Sequence, residues 1–107
     1  MTDLILILTT MPDDDRARTL ALTLVEEGLA ACVNVHAPMT STYRWKGALE
    51  QDVERQVVIK STRERLPALQ ARVLALHPYE LPEFVVLSGE AGDAYGRWVE
   101  KSGASKP

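Results

Sequence analysis

Cysteine and long apolar runs are both scarce in this chain. The single thiol among 107 residues, that of Cys32, excludes an internal disulfide framework. Apolar runs such as Leu4 to Leu8 are far shorter than the roughly 18 residues that a membrane-spanning helix requires. The first residues also lack the basic region, the long apolar stretch and the cleavage site of a secretory signal. We therefore expect a soluble protein of the reducing cytoplasm, with no membrane partner.

Basic clusters and the strong catalytic motifs are missing as well. Lys and Arg number 12 against 15 Asp and Glu, which gives a formal net charge of -3, whereas nucleic-acid binders usually carry a basic patch. The sequence contains no glycine-rich phosphate loop, paired cysteines, zinc-protease helix or serine nucleophile elbow. We therefore predict no nucleic-acid partner, and a binding protein instead of an enzyme.

The residues that are present fit one globular domain over positions 1–107, because 46% of them are hydrophobic and 25% are charged. A polar, flexible tail is expected at about 103–107. Near the start, Leu4 to Leu8 form an unbroken apolar run, which is typical of a central strand buried on both faces. We expect the segment Thr9 to Pro12 to end this strand.

A helix and a long hairpin are predicted next. Asp13 to Asp15 supply N-cap oxygens for a helix that Gly28 ends in a left-handed conformation. From Ala30 to Trp45 the chain is rich in Val, Thr and Tyr, with a bend expected at Pro38. The pair Lys46-Gly47 then provides a tight reversal into a second extended run. These two runs indicate a long hairpin.

The second half of the chain continues the alternation of helix and strand. Pro67 suits the first turn of a second helix, Phe84 to Leu87 form a last apolar strand, and Tyr95 and Trp98 indicate a short terminal helix. The order βαββαβ, with one helix appended, predicts an α+β ferredoxin-like fold with a long hairpin between its second and third strands.

The predicted sheet has more apolar surface than its two internal helices can cover. Two helices cover only one face of a four-stranded antiparallel sheet. We expect Ile5, Ile7 and the run from Phe84 to Leu87 to place large apolar groups on the other face. Burial of one such side chain is worth about 1.5 to 3 kcal/mol. We therefore predict a homo-oligomer, in which the chain's main partner is a further copy of itself.

One short segment combines two prolines with titratable and aromatic side chains: His77-Pro78-Tyr79-Glu80-Leu81-Pro82-Glu83. Pro78 disfavours helical geometry at His77, so the second helix is predicted to end there. An imidazole at a helix C-terminus, close in sequence to Glu80 and Glu83, suits a binding position. The alternative is that His77 only satisfies the last helical carbonyls.

Six side chains combine aromatic walls with one cation and one carboxylate, a mixture that suits a small-molecule pocket between subunits. They are Tyr43, Trp45, Lys60, Tyr79, Glu80 and Trp98. Packing at a contact between subunits explains the aromatic residues equally well. Lys60 discriminates between the two interpretations, because an ammonium beside a mostly apolar strand requires either solvent or a negative partner.

The chain contains Leu29-Ala30-Ala31-Cys32-Val33-Asn34, then Ser41-Thr42-Tyr43-Arg44-Trp45-Lys46-Gly47, then the segment from His77 to Glu83. In this order the three segments resemble the CutA family, which is named for divalent-cation tolerance. The resemblance runs from the first strand to Trp98 and so covers nearly the whole chain. It implies a ferredoxin-like homotrimer whose long hairpins are exchanged between subunits.

The metal chemistry of that family matches this chain only in part. Some relatives place a cysteine at the end of the first strand and two adjacent histidines before the proline, where this chain has Thr9 and Leu76-His77. Cys32 matches the family's Ala-Ala-Cys segment, and its thiolate would suit a soft ion such as Cu(I). A buried free cysteine, however, usually acts as a small hydrophobe. His36 lies outside the family's usual pattern.

Two functions follow from the resemblance as hypotheses. The first is a trimeric cytoplasmic protein linked to divalent-cation tolerance, which binds copper weakly through His77 with Cys32 or Glu80. The second is a PII-like signalling or scaffold trimer that accepts a small anionic metabolite near Lys60, in a cleft between subunits. This second hypothesis rests on analogy with other ferredoxin-like trimers.

Overall fold

Seven elements of secondary structure follow one another in the predicted βαββαβα order. The computed structural model describes residues 1–104; of the expected tail, 103 and 104 are helical and 105–107 lie outside the described residues. The strands are β1 (Thr2–Pro12), β2 (Cys32–Trp45), β3 (Ala48–Ser61) and β4 (Val85–Ala91). The helices are α1 (Asp15–Glu26), α2 (Leu66–Leu76) and α3 (Asp93–Ala104). The ferredoxin-like α+β fold with its appended helix is therefore confirmed.

All four strands form one antiparallel sheet in the order β2-β3-β1-β4. β1 is central, as predicted from Leu4 to Leu8. The expectation that Thr9 to Pro12 end this strand is wrong, because these residues continue to pair with β3, up to Pro12 opposite Glu54. A proline is tolerated at the last residue of a strand, where its missing N–H removes no bond from the interior of the ladder.

One face of the sheet is covered by α1 and α2, and we call it the closed face. Ile5 and Ile7 lie on it, with at most 2% of their surface exposed, and they pack with Leu24 of α1 and Leu69 of α2. The expectation that Ile5 and Ile7 face away from these helices is wrong. Alternation along a strand predicts that two faces exist, but the register and the connections decide which face the helices cover.

The opposite side of the sheet, which we call the open face, is only partly covered. The register places on it the apolar side chains of Leu4, Leu6, Leu8, Val58, Val85 and Leu87. At one end α3 lies over this face, where Val99 is fully buried against Leu4 and Ala31. Farther along, Val85 and Leu87 remain 42% and 45% exposed. The chain's own terminal helix therefore covers only part of this face.

Close packing and an arginine hold α3 against the rest of the domain. Gly96 lies so near Thr2 that an added Cβ would be 2.3 Å from the Cβ of Thr2. Arg65, just before α2, donates from Nη1 to the carbonyl of Val99 at 2.9 Å and from Nη2 to the carbonyl of Glu100. A cation is favourable here because the C-terminal turns of a helix carry partial negative charge.

β2 and β3 form the predicted long hairpin. Its turn residues, Lys46 and Gly47, have positive φ angles of 49° and 83°, as a type I′ turn requires. The pairing is irregular between Val35 and Pro38, where the bend was expected. Residues 48–53 of β3, which lie between the turn and Glu54, pair only with β2. About half of the hairpin is therefore a two-stranded ribbon outside the sheet, a structure that is at best marginally stable by itself.

The helix ends follow the predicted signals. The side chain of Asp14 caps α1 by accepting the backbone N–H of Arg16 at 3.0 Å. Gly28 has a φ of 73° just after α1, Pro67 lies in the first turn of α2, and His77 is the C-cap of α2. None of the helices within residues 1–104 combines the length and the apolarity that a bilayer crossing requires.

Candidate functional site

The segment from His77 to Glu83, which we call the 77–83 loop, lies along the end of β1 that does not pair with β4. β4 pairs with β1 only from Thr2 to Leu8. Beyond that point Nε2 of His77 lies 2.8 Å from the carbonyl oxygen of Thr10. At the other end of the loop, the amide of Gln56 donates to Oε2 of Glu83 at 3.0 Å and to the carbonyl of Thr9 at 2.7 Å. These bonds fasten the loop to the sheet.

Both ring nitrogens of His77 are occupied. The carbonyl of Thr10 can only accept, so Nε2 carries the proton; the N–H of Tyr79 can only donate, so Nδ1 is the acceptor, at 3.2 Å. Burial lowers the pKa of His77, although the bond to Thr10 and the charge of Glu54 act in the opposite direction. The imidazole is therefore neutral near pH 7, and its one lone pair already accepts a hydrogen bond.

Tyr79 connects the loop to the hairpin through a buried carboxylate. Its hydroxyl donates to Oε2 of Glu54 at 2.6 Å, and Glu54 is only 8% exposed. Burial raises the pKa of Tyr79, and the bond to Glu54 and the negative charge of this carboxylate raise it further. The phenol therefore stays protonated and donates to Glu54, which stabilises a carboxylate that is largely removed from solvent.

The remaining predicted residues of the hairpin lie near its exposed end. Lys46 is 3.7 Å from the carboxylate of Glu80, and both side chains are largely exposed. The ammonium of Lys46 also lies 5.5 Å from the centre of the Trp45 ring. Tyr43 donates to Asp52, and this hydrogen bond raises the pKa of Tyr43 to about 12. Loop and ribbon therefore meet through polar contacts.

Lys60 and Trp98 belong to a second group, at the α3 end of the open face. Cys32 on β2 and Leu6 on β1 are the direct cross-strand neighbours of Lys60. The ammonium of Lys60 lies 5.8 Å from the centre of the Tyr95 ring, and the rings of Tyr95 and Trp98 are 5.5 Å apart and inclined by 37°. We call Lys60, Tyr95 and Trp98 the Lys60 cluster.

Within one chain, the six predicted cleft residues therefore fall into two groups. Tyr43, Trp45, Tyr79 and Glu80 lie at the loop and the ribbon, whereas Lys60 lies on β3 and Trp98 on α3. Lys60 follows Glu54 by six positions on β3, which corresponds to about 20 Å along a strand. A single cleft containing all six would need a second copy of the chain, and the inter-subunit cleft stays a prediction.

The two predicted metal ligands also lie apart in one chain. Cys32 is opposite Lys60 on β3, whereas Thr10, the partner of His77, is opposite Gln56. Four residues along a strand correspond to about 13 Å. Within the part of the chain that the structure describes, no group of three or more His, Cys, Asp or Glu side chains could hold a metal ion. The donor set of a single chain therefore does not fit a complete metal centre.

Sequence reasoning missed Glu54, Gln56 and Tyr95 as members of these two groups. Glu54 and Gln56 lie where β3 enters the sheet, next to the buried Val57, and a carboxylate at such a place needs a donor. Tyr95 precedes Trp98 by three residues on a helix, so their rings lie on the same side. Both signals are present in the sequence, but neither one names its partner.

Comparison with known proteins gives a consistent result. The model of the family described as CutA1 divalent ion tolerance protein matches residues 5–102. The divalent-cation tolerance protein CutA of Thermus thermophilus is 44% identical over 97 residues, which are 90% of this chain and 94% of that protein. The CutA of Pectobacterium atrosepticum is 43% identical over 101 residues, 94% of this chain and 92% of its own.

Solved structures agree with these sequence matches. CutA from Synechococcus elongatus superposes with a TM-score of 0.89 at 44% identity, over 95% of this chain and 91% of that one. CutA1 from Ehrlichia chaffeensis superposes with a TM-score of 0.90 at 27% identity, over 96% and 97% of the two chains. Sequence and fold therefore agree over nearly the full length. The chain belongs to the CutA1 family of divalent ion tolerance proteins.

Proposed function

We propose that this chain assembles into a homotrimer in the cytoplasm and contributes there to the tolerance of divalent metal ions, by binding and without catalysing a reaction. Family membership supports the link to divalent cations. The observation that carries the assembly is the uncovered part of the open face, where Val85 and Leu87 remain almost half exposed beside Leu8 and Val58. The number three comes from the family resemblance.

The ribbon supports the same assembly. A two-stranded ribbon needs further strands or a packing surface before it is stable, and this one extends beyond the pairing with β1. Its exposed side chains include Tyr43 at 41% and Val53 at 55%. Apolar surface of this kind, rimmed by polar residues, is typical of an interface between subunits. A second copy that covers both the ribbon and the open face would bury the exposed apolar side chains of the two regions together.

Sedimentation equilibrium tests the assembly. We expect the unmodified chain to sediment with three times its monomer mass, and Leu87→Glu to sediment as a monomer, because a carboxylate buried at an apolar interface costs several kcal/mol. Leu22→Glu is the matched control, since Leu22 is 66% exposed on α1, on the other side of the molecule. A monomeric unmodified protein, or a trimeric Leu87→Glu, would refute the proposal.

For the metal itself we propose copper, bound weakly by isolated ligands of each chain. The thiol of Cys32 would suit Cu(I) and the exposed carboxylate of Glu80 would suit Cu(II). His77 becomes available only when one of its two hydrogen bonds breaks. Weak binding is expected because no single chain combines these groups, so that any complete site has to include ligands of a neighbouring copy.

Calorimetric titration with copper tests this assignment. His77→Gln is the informative variant, because the glutamine amide can still donate to the carbonyl of Thr10 but lacks an imidazole. We expect saturable binding that weakens at acidic pH and that is reduced in His77→Gln and in Cys32→Ser. His36→Gln is the control, because His36 is an exposed histidine in the irregular part of β2. Equal binding by all three variants would refute the ligand assignment.

A second candidate function, binding of a small anionic metabolite near Lys60, is favoured by one observation. Lys60 is a partly buried residue of the open face, its ammonium lies 5.8 Å from the centre of the Tyr95 ring, and its two cross-strand neighbours are Cys32 and Leu6. An ammonium in such a place is stabilised by a negative partner. The position next to the uncovered part of the sheet fits a ligand that binds between subunits.

A further inference from the structure

We infer that the Lys60 cluster binds a small planar aromatic carboxylate, whose ring packs on Tyr95 and Trp98 and whose single negative charge pairs with Lys60. This inference rests on the second candidate function proposed above and deepens it by naming the class of ligand. It differs from a cleft built from all six predicted residues, because every side chain of the Lys60 cluster comes from one chain.

The charge of Lys60 is the first argument. No carboxylate of residues 1–104 lies within ion-pair distance of its ammonium, which instead lies over the ring of Tyr95. Partial burial of Lys60 reduces the access of water to its side chain, and a ring face compensates for this only weakly. An anion at this place would gain a charge-assisted hydrogen bond from Lys60.

The two aromatic rings supply the second argument. Tyr95 and Trp98 remain 43% and 49% exposed, although their rings lie against each other and Tyr95 faces Lys60 of the sheet. Ring faces that stay accessible next to a cation suit a planar apolar group, because aromatic rings prefer offset-stacked or edge-to-face contacts. Aromatic side chains next to one charged group are typical of small-molecule sites.

The neighbouring charged groups decide between classes of anion. Arg63 donates to the hydroxyl of Ser88, and Arg65 donates to carbonyls of α3. These two guanidinium groups are therefore engaged, whereas the ammonium of Lys60 is free to balance one negative charge. A monoanionic carboxylate fits this arrangement better than a nucleotide phosphate, which carries several charges and is usually bound by several cations or backbone N–H groups.

A carboxylate of a second copy is the competing partner for Lys60. Glu54 and Asp52 lie on the same face of the hairpin, but within their own chain they already accept hydrogen bonds from Tyr79 and Tyr43. Moving Glu54 onto Lys60 would leave the hydroxyl of the partly buried Tyr79 without its acceptor, which is unfavourable for a group that is removed from solvent. The contacts within the chain therefore favour a small ligand.

Fluorescence of Trp98 in the full-length Trp45→Phe chain tests the inference. The probe is benzoate, and two comparison compounds separate its features: benzyl alcohol keeps the ring without the charge, and cyclohexanecarboxylate keeps the charge without the planar ring. We expect saturable quenching by benzoate, with both comparison compounds binding at least tenfold more weakly. Equal affinity for benzoate and either comparison compound would overturn the inference, and this test needs no change in the site.

Two lysine variants then test the position of the charge. We expect Lys60→Gln to weaken benzoate binding at least tenfold and Lys101→Gln, at the exposed end of α3, to leave it unchanged. Equal weakening by both variants, or none by Lys60→Gln, would overturn the assignment. Sedimentation of the same samples separates the two proposals: an intact trimer without benzoate binding refutes only the ligand site, whereas a monomer that binds benzoate refutes only the assembly.

Discussion

The two faces of the sheet differ although the same strands build both. On the closed face, Ile5, Ile7 and Ile59 are at most 2% exposed below α1 and α2. On the open face, Val99 of α3 closes a small cluster, but Leu87 remains 45% exposed. A single chain therefore buries these apolar side chains of the closed face fully and those of the open face only in part.

This difference shows where function is expected. The apolar side chains of the closed face are packed within the chain, whereas the polar and aromatic groups of the open face lie next to uncovered surface. The Lys60 cluster and the 77–83 loop with Glu54 both border this surface. A face that one chain does not complete is the place where a second copy or a ligand can add free energy, because apolar surface remains to be buried.

Removal of a large side chain from the closed face should have the largest effect. We expect Ile7→Ala to lower the free energy of unfolding by about 2 to 5 kcal/mol, because Ile7 is fully buried and its removal leaves a cavity. Urea denaturation at fixed protein concentration measures this loss, and sedimentation should show an unchanged mass. A cost below about 1 kcal/mol would contradict the assignment of Ile7 to a completed core.

Crowding below α3 should loosen the cover of the open face. A Cβ at position 96 would lie 2.3 to 3.0 Å from three atoms of Thr2, so Gly96→Ala should cost about 1 to 3 kcal/mol. Hydrogen exchange is expected to become faster in α3 while α1 stays protected. Gly92→Ala is the control, because an added Cβ there meets nothing within 4 Å. Similar exchange in the two variants would argue against close docking of α3.

Loss of the Tyr79 hydroxyl should weaken the contact of loop and hairpin. Tyr79→Phe leaves the buried carboxylate of Glu54 without this donor, at a cost of about 1 to 3 kcal/mol. Tyr43→Phe removes the same kind of bond, to Asp52, at an exposed position, and should change stability little. Thermal and urea denaturation of the pair measure the difference. Equal losses of stability in the two variants would contradict the explanation that burial of Glu54 makes the Tyr79 bond the more stabilising one.

The smallest effect that we predict concerns pH. The pKa of His77 in the folded chain lies below its ordinary value of 6.5, so the unfolded chain binds more protons in the interval between the two values. The contribution of neutral His77 to stability is therefore complete above pH 6.5 and is lost as the pH falls through the folded pKa. Urea denaturation at pH 7.5 and below pH 6 should show this loss, and a smaller one in His77→Gln. The opposite slope would contradict the buried, neutral imidazole.

Local signals in the sequence predicted most of the fold. Asp14, Gly28, Pro67 and the pair Lys46-Gly47 each act within a few residues, through a cap, a left-handed φ, a fixed φ or a type I′ turn. Such signals are readable because both partners of the interaction are close along the chain. The prediction for Thr9 to Pro12 failed because pairing with a distant strand extended β1 beyond its apolar run.

The candidate site was less predictable. His77, Tyr79 and Lys60 were singled out from residue type and the resemblance, but their partners Thr10, Glu54 and Tyr95 are separated from them by 67, 25 and 35 positions. Residue chemistry suggests that a partner is needed and does not identify it. The side of the sheet that Ile5 and Ile7 face was mistaken for a similar reason, since alternation is symmetric with respect to the two faces.

Elements, turns and helix ends could thus be read from neighbouring residues, because their free energy comes from short-range interactions. The tertiary structure was needed to show which face the helices cover, that α3 shelters part of the other, and that His77 uses both ring nitrogens. These features depend on contacts between residues far apart along the chain, whose relative positions exist only after the strands have paired.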